Sequence, residues 1–173
     1  MVVADRIVVL RNGEIQQEGP PPQVYNEPKN IFVAHFVGEA NFFEGFVAEV
    51  DLHGSWIQLR NGFVLRVNET SKKVGEKVVV MIREEKTEII KRVKRREEIN
   101  LLPGTIREVS LLGDFISYSV LLDNGDRVNS RIPTVRGMGR FKVGEKVYVR
   151  LKPGDLRVYS YPPQGLYREL EVI

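Results

Sequence analysis

Cysteine is absent from the 173 residues. That rules out disulfides and thiolate metal sites and fits a reducing compartment. Histidine occurs only as His35 and His53, so a zinc site would have to draw on carboxylates to complete its ligand set. No apolar run approaches the roughly 18 residues needed to cross a bilayer, and no opening segment has the charged-then-apolar form of a secretory leader. A Gly-Lys dipeptide occurs nowhere, which excludes a phosphate-cradling loop of the Gly-x-x-x-x-Gly-Lys type within this chain. Neither sign of charge dominates: 26 Lys and Arg against 23 Asp and Glu leave a net value of +3, which permits an anionic partner without requiring one. A hydrophobic fraction of 42% is enough for a core, and the length suits one ordinary domain or two small ones.

The front reads as a hairpin and two short helices. Ile7-Val8-Val9-Leu10 is a β-branched run, and Arg11-Asn12-Gly13 turns it, because Asn and Gly tolerate positive φ. Glu14 to Glu18 returns as the second strand, and Gly19-Pro20-Pro21-Pro22 breaks it. Proline is accepted in a helix's first turn, so Pro22 to Asn26 is expected to be helical and to stop before Pro28. Asn30 is an N-cap residue, which opens a second short helix from Ile31 to Val37, closed by Gly38. This section is amphipathic and too short to fold as a unit. Its apolar faces need a partner from elsewhere in the chain or from outside it.

The stretch Gly38-Glu39-Ala40-Asn41-Phe42-Phe43-Glu44-Gly45 is the join, and the vocabulary beyond it is strand and turn. Phe46 to Val50, Trp56 to Leu59, Phe63 to Val67 and Val78 to Ile82 read as short strands, punctuated by His53-Gly54, Asn61-Gly62 and Val74-Gly75-Glu76-Lys77. Such spacing points to a barrel or sandwich. The pattern then recurs. Gly45-Phe46-Val47-Ala48-Glu49-Val50 is echoed by Gly104-Thr105-Ile106-Arg107-Glu108-Val109, and Gly113 answers Gly54 at the same offset. Asn124-Gly125 answers Asn61-Gly62 at a slightly larger offset, and Val143-Gly144-Glu145-Lys146-Val147 answers Val74-Gly75-Glu76-Lys77-Val78 at a larger one still. The growing shift places insertions in turns, where they cost least. Two copies of one small β unit are the simplest account. In the tail, Lys152-Pro153-Gly154-Asp155 is a turn, Leu156 to Tyr161 a last strand, and Leu166 to Ile173 is expected to add to a sheet edge or to contact a neighbour.

These residues resemble a known family. Ala4 to Ile15 resembles the last hairpin of the ATP-binding subunits of ABC importers, and Gly19 to Tyr25, Pro28 and Asn30 to Gly38 resemble the two short helices that close that ATPase domain. Gly38-Glu39-Ala40-Asn41 with Gly45 is similar to the junction to the accessory domain of the maltose, polyamine and ferric-iron importers, the transport-associated OB fold or TOBE domain. Met81-Ile82-Arg83-Glu84-Glu85 resembles its Ile-Arg-Pro-Glu segment, with Glu84 where proline is usual. Leu102 to Ile106, Gly113 and Val120 to Gly125 look most like the polyamine-type branch. The resemblance implies a transporter subunit whose full-length form would use ATP and Mg. The residues present contain no phosphate loop and no Gly-Gly for the family's signature loop, and the switch histidine would lie before Asp5. The expectation is therefore a piece of such a subunit that has no cofactor of its own and does not hydrolyse ATP.

Candidate sites are few. In Arg136-Gly137-Met138-Gly139-Arg140-Phe141-Lys142 the glycines let successive N–H groups converge on an anion flanked by cations. Arg136, Gly137, Gly139 and Arg140 are thus a candidate anion or effector loop, set beside the plainer reading of a solvated surface loop. Lys91 to Arg96 holds five cations in six residues. It could track a phosphate backbone, but no aromatic stacking platform lies beside it, which favours a solvated connection between repeats. Val120-Leu121-Leu122-Asp123 imitates a magnesium-delivering strand and is better read as a core strand entering an Asn-Gly turn. His35 is expected to be packed, His53 and Ser55 to sit near a turn with no triad, and Trp56 to be core or interface. Glu84-Glu85 and Glu97-Glu98 would point to opposite faces of a strand and could not cooperate.

The reading is a mainly β fold. Two OB-like β-barrel halves, about 39–100 and 101–173, together form a regulatory domain over 39–173 and exchange strands. A short α/β remnant of an ATPase domain precedes them over 1–38. No catalytic, cofactor or metal residue is assigned. The function expected is regulation and dimerisation of a polyamine-type importer's ATP-binding subunit at the inner face of the cell membrane. Its partners would be a second copy, the transmembrane permease subunits and a small-molecule effector. The alternatives are a nucleic-acid-binding OB pair, against which the lack of an aromatic residue within or beside the basic run counts, and a tandem barrel binding oxyanions such as molybdate or sulfate.

Overall fold

The computed structural model describes residues 4–60, 62–69, 71–91, 99–134 and 141–171. Two compact units divide them: residues 1–40 with 161–173, and residues 41–160.

In the first unit, β1 (Ile7–Arg11) and β2 (Glu14–Gly19) form an antiparallel hairpin. Its turn residues Asn12 and Gly13 have φ of 52° and 81°, the pair of positive values a two-residue hairpin turn demands. Two short helices follow, α1 (Pro21–Asn26) and α2 (Ile31–Phe36). Asn30 caps α2, its side chain accepting from the Val33 N–H at 2.8 Å. Buried Gln17 fastens the intervening loop, donating to the Glu27 carbonyl at 3.1 Å and accepting from the Lys29 N–H at 2.8 Å. Val9, Val24, Phe32 and Val33 make a small core. The tail adds a short helix, Leu166–Leu170, where the sequence suggested a sheet edge or a neighbour contact. Arg11 ties this helix to the unit. Its guanidinium lies 4.5 Å from the Phe32 ring and 2.7 Å from the Glu169 carboxylate.

The second unit begins with β3 (Ala40–Asp51), longer than the expected Phe46 to Val50, so the junction stretch is itself mostly strand. Then come β4 (Gly54–Leu59), β5 (Val64–Val67), β6 (Lys77–Arg83) and β7 (Glu88–Ile90). The second half repeats the series with β8 (Leu101–Leu112), β9 (Phe115–Leu122), β10 (Arg127–Pro133), β11 (Lys146–Arg150) and β12 (Arg157–Ser160). The tail helix is then α3.

The five-stranded sheets run β12-β6-β3-β4-β5 and β10-β9-β8-β11-β7. The last strand of each half therefore pairs with the other half. The Ile89 level of β7 lies against Val149, and Val158 of β12 lies against Val80. Both long strands bulge at matching places, Val47/Glu49 and Ile106/Glu108, each closed by an N–H to a turn carbonyl at 3.0 Å, from Val47 to Glu76 and from Ile106 to Glu145. Alternation places Ile116, Tyr118, Val120 and Leu122 of β9 in the core and Ser117 and Ser119 on the other face. One core runs through both halves, with Val47, Ile57, Leu65 and Ile82 beside Ile106, Tyr118, Val128 and Val149. Glycine at 45 and 104 is a packing requirement, because a Cβ would stand 2.7 Å from the carbonyl oxygen of Gln58 or Leu121 on the paired strand.

Two asparagines seal the arrangement. β5 and β10 are edge strands, with peptide groups left over. The Asn41 side chain accepts from the Asn129 N–H and donates to the Asn129 carbonyl, both at 2.8 Å. Asn100 does the same to Arg66 at 2.6 and 2.7 Å, and also donates to the Leu151 carbonyl at 2.8 Å. Each amide stands in for the missing strand beside that edge. Asn100 holds φ at 54°, a left-handed value asparagine tolerates better than alanine.

Removing such an amide strands buried peptide groups. Asn100→Ala is expected to lower the unfolding free energy by roughly 2–4 kcal/mol and Asn41→Ala by about 1–3 kcal/mol, measured by urea titration. Losses under about 0.5 kcal/mol for both would show that the amides do not hold the halves together.

Candidate functional site

The repeat makes one difference between the halves easy to see. On β3–β5 the register sets Glu49 opposite Trp56, Trp56 opposite Arg66, and Asp51 opposite Gly54. The Arg66 guanidinium lies 5.1 Å from the Trp56 ring centre and 2.6 Å from the Asp51 carboxylate. Asp51 also accepts from the His53 N–H at 2.7 Å, and the next residue is glycine because a Cβ there would stand 2.0 Å from the Val67 carbonyl oxygen. The side-chain hydrogen bond from Arg66, helped by the His53 N–H, lowers the Asp51 pKa from 3.8 to about 2.

On β8–β10 the same register sets Glu108 opposite Ser119, Ser119 opposite Asn129, and Ser110 opposite Ser117. Small polar residues thus stand at the positions of the indole and its arginine. The result is an open cleft of about 330 Å³ lined by Glu108, Ser110, Ser117, Ser119, Arg127 and Asn129. Arg127 lies 3.3 Å from the Glu108 carboxylate, both side chains well exposed to water. An exposed pair of this kind is worth little to stability. The floor is firm, because the Asn129 peptide groups are held by Asn41.

A second polar cluster went unforeseen. Glu84 opens a 3-10 turn, Glu84–Lys86, in place of the strand on which Glu84 and Glu85 were expected to diverge. Glu84 is buried and lies 2.8 Å from Arg131 of β10, whose guanidinium also stands 4.9 Å from the Phe115 ring. Burial of the phenol raises the Tyr159 pKa to about 12.

The loop of Arg136, Gly137, Gly139 and Arg140 lies outside the described residues, as do residues 92–98 of the basic run and Glu97-Glu98. Lys91 is described: it lies 2.7 Å from Glu145 and holds the Glu145 pKa below its usual value, with the Lys142 N–H assisting. Val120 and Leu122 are core residues leading into the Asn124-Gly125 turn. His35 is half-buried on α2, and Ser55 is buried and donates to the Glu69 carbonyl. Among the described residues, no group of three or more His, Asp or Glu could hold a metal ion. Among them too, no helix is long and apolar enough to cross a membrane.

Residues 80–158 match the family model of the TOBE domain, so the chain carries that domain there, as the motifs at residues 81–85 and 102–125 suggested. The fold agrees. A crystal structure of the cytoplasmic molybdate-binding protein ModG, with molybdate bound, superposes with a TM-score of 0.62 at 19% identity, over 70% of this chain and 96% of that one. At that identity the likeness speaks for the fold. The chain is similar to spermidine/putrescine import ATP-binding proteins. Identity is 31% over 160 residues with that of Pseudomonas fluorescens, covering 91% of this chain and 42% of the relative. It is 34% over 127 residues with that of Vibrio parahaemolyticus, covering 73% and 33%. The chain therefore spans less than half the length of these relatives, and the match lies in their C-terminal region.

The Asp51 pair gives a pH signature. Because its folded pKa is depressed, the pair contributes stability above the ordinary carboxylate range, and that contribution fades as pH falls from about 3.8 through about 2. A carboxyl-carbon NMR titration should place the Asp51 midpoint near 2 and return it toward 3.8 in Arg66→Ala. An unmoved midpoint would show that Arg66 does not govern Asp51.

Proposed function

We propose that this chain is the regulatory and dimerising region of an importer's ATP-binding subunit, serving a polyamine-like solute. The observation that carries the reading is the similarity to spermidine/putrescine import ATP-binding proteins. It extends over 91% of the chain and so takes in front segment and β region together. In the whole subunit, ATP and Mg would be held by an ATPase domain, and transmembrane permease subunits would be its partners at the inner face of the membrane. The work of the present region is mechanical. Two copies stay joined through their β domains while the ATPase domains close and reopen. A small effector that binds one state better than the other shifts the cycle by its differential affinity.

A second reading follows from what the structural neighbour is said to bind. A tandem β fold of this type could capture an oxyanion without ATP, and the loop with Arg136 and Arg140 is where that binding would be sought.

Sedimentation equilibrium should show a dimer fraction that rises with concentration. A strictly monomeric chain would overturn the dimerising role. Titration calorimetry with molybdate and sulfate should show no tight site. Tight binding lost on changing Arg136 and Arg140 to Ala would move the assignment to the oxyanion reading. Single-stranded DNA should bind no better at low salt than at high; a steep salt dependence would instead favour the nucleic-acid reading.

A further inference from the structure

We propose that the cleft on β8–β10 binds a small neutral polyhydroxyl ligand, a single sugar ring being the best match. The inference does not rest on the importer reading. It starts from the repeat: all six lining residues have register counterparts in the first half, Glu49, Asp51, Gly54, Trp56, Val64 and Arg66, with Ser117 rather than Gly113 standing at the place of Gly54. There the space is taken by the chain's only tryptophan and the arginine stacked on it. In the second half Ser119, Asn129 and Ser110 replace Trp56, Arg66 and Asp51. The vacated volume of about 330 Å³ lies at the small end of the range for ligand sites, roughly 300–1,000 Å³. In the first half this place holds an indole ring, and a pyranose chair, although puckered, is close in breadth to that ring system.

The lining chemistry selects the class. Glu108 and Arg127 neutralise each other at 3.3 Å, so the cleft offers no net charge to hold a free cation or anion. The remaining groups are the hydroxyls of Ser110, Ser117 and Ser119 and the Asn129 amide, each able both to donate and to accept. Neighbouring hydroxyls on a ring have the same double character. One can donate to the Glu108 carboxylate while the next accepts from the Arg127 guanidinium, which leaves the serines and the amide for the rest. Since the Glu108–Arg127 pair is exposed, opening it to admit a ligand costs little. The strand beneath is already ordered by the Asn41 clamp, so binding orders little further backbone.

The test is calorimetric titration of the full chain with glucose and sucrose, and in parallel with spermidine, glutamate and molybdate. Saturable sugar binding is expected, with a Kd on the order of 0.1–10 mM. Ser119→Trp, which rebuilds the first half's ring, should abolish it. Arg127→Ala, a surface change that leaves the core untouched, should weaken it about three- to tenfold. The proposal is overturned by any of three results: no saturable sugar binding, sugar binding unchanged in Arg127→Ala, or tighter binding of spermidine, glutamate or molybdate that Ser119→Trp abolishes.

Discussion

An edge strand that lies inside a domain must dispose of its peptide groups, and here a side-chain amide does so twice. Asn41 faces Asn129 and Asn100 faces Arg66, each offering one acceptor and one donor in the geometry of a neighbouring strand. The two contacts are reciprocal, because Asn41 on β3 covers β10, while Asn100, the residue just before β8, covers β5. The sheets repeat this logic at larger scale: β7 completes the sheet of the second half and β12 that of the first. A half taken alone would leave β6 or β11 without an outer partner and expose the shared core. The halves therefore stand or fall together.

Inside this frame the repeat is tightly kept, and outside it is not. Gly45 and Gly104 permit the same close approach of paired strands, and Glu76 and Glu145 accept from the N–H of Lys73 and Lys142 in matching turns. These positions answer to backbone geometry, which is common to both copies. Trp56 and Ser119 answer only to what lies above the sheet. A duplicated fold can thus vary its outer face in one copy without disturbing the ladders of either.

Much of this was legible locally. Asn12-Gly13, the Asn30 cap and the two Val-Gly-Glu-Lys turns act over a few residues, and their structures follow from φ preference and one or two hydrogen bonds. The mainly β, duplicated architecture was readable because the same turns recur in order. The clamps were harder. Asn100 stands as far beyond Asn41 as Gly104 stands beyond Gly45, so their equivalence was within reach. Their partners were not, since nothing local in Arg66 or Asn129 announces a borrowed amide. The Leu166–Leu170 helix is too short for a periodic signal and depends on Arg11, far away in sequence. The cleft was invisible for a related reason: three serines on the strand face away from the core look like ordinary surface until the register shows what they replace.

Glu84 carries the last consequence of duplication. Two similar halves that exchange strands could also exchange them wrongly, with another copy or out of register. At the offset that relates the two Val-Gly-Glu-Lys turns, the counterpart of Glu84 in the second half is Pro153. At the offset that relates the two Asn-Gly turns, the counterpart of Arg131 in the first half is Asn68. Only one of the two turns therefore offers a carboxylate, and only one of the two matching strand ends offers a guanidinium to meet it. A buried pair of this kind adds little net stability when formed, but a buried charge left without its partner costs about 3–5 kcal/mol. An arrangement that sets Glu84 against Asn68 leaves the buried carboxylate without its guanidinium and incurs that penalty, whereas the half-buried Arg131 set against Pro153 keeps contact with water and loses less. The carboxylate at position 84 thus favours the observed pairing over one that sets it against Asn68.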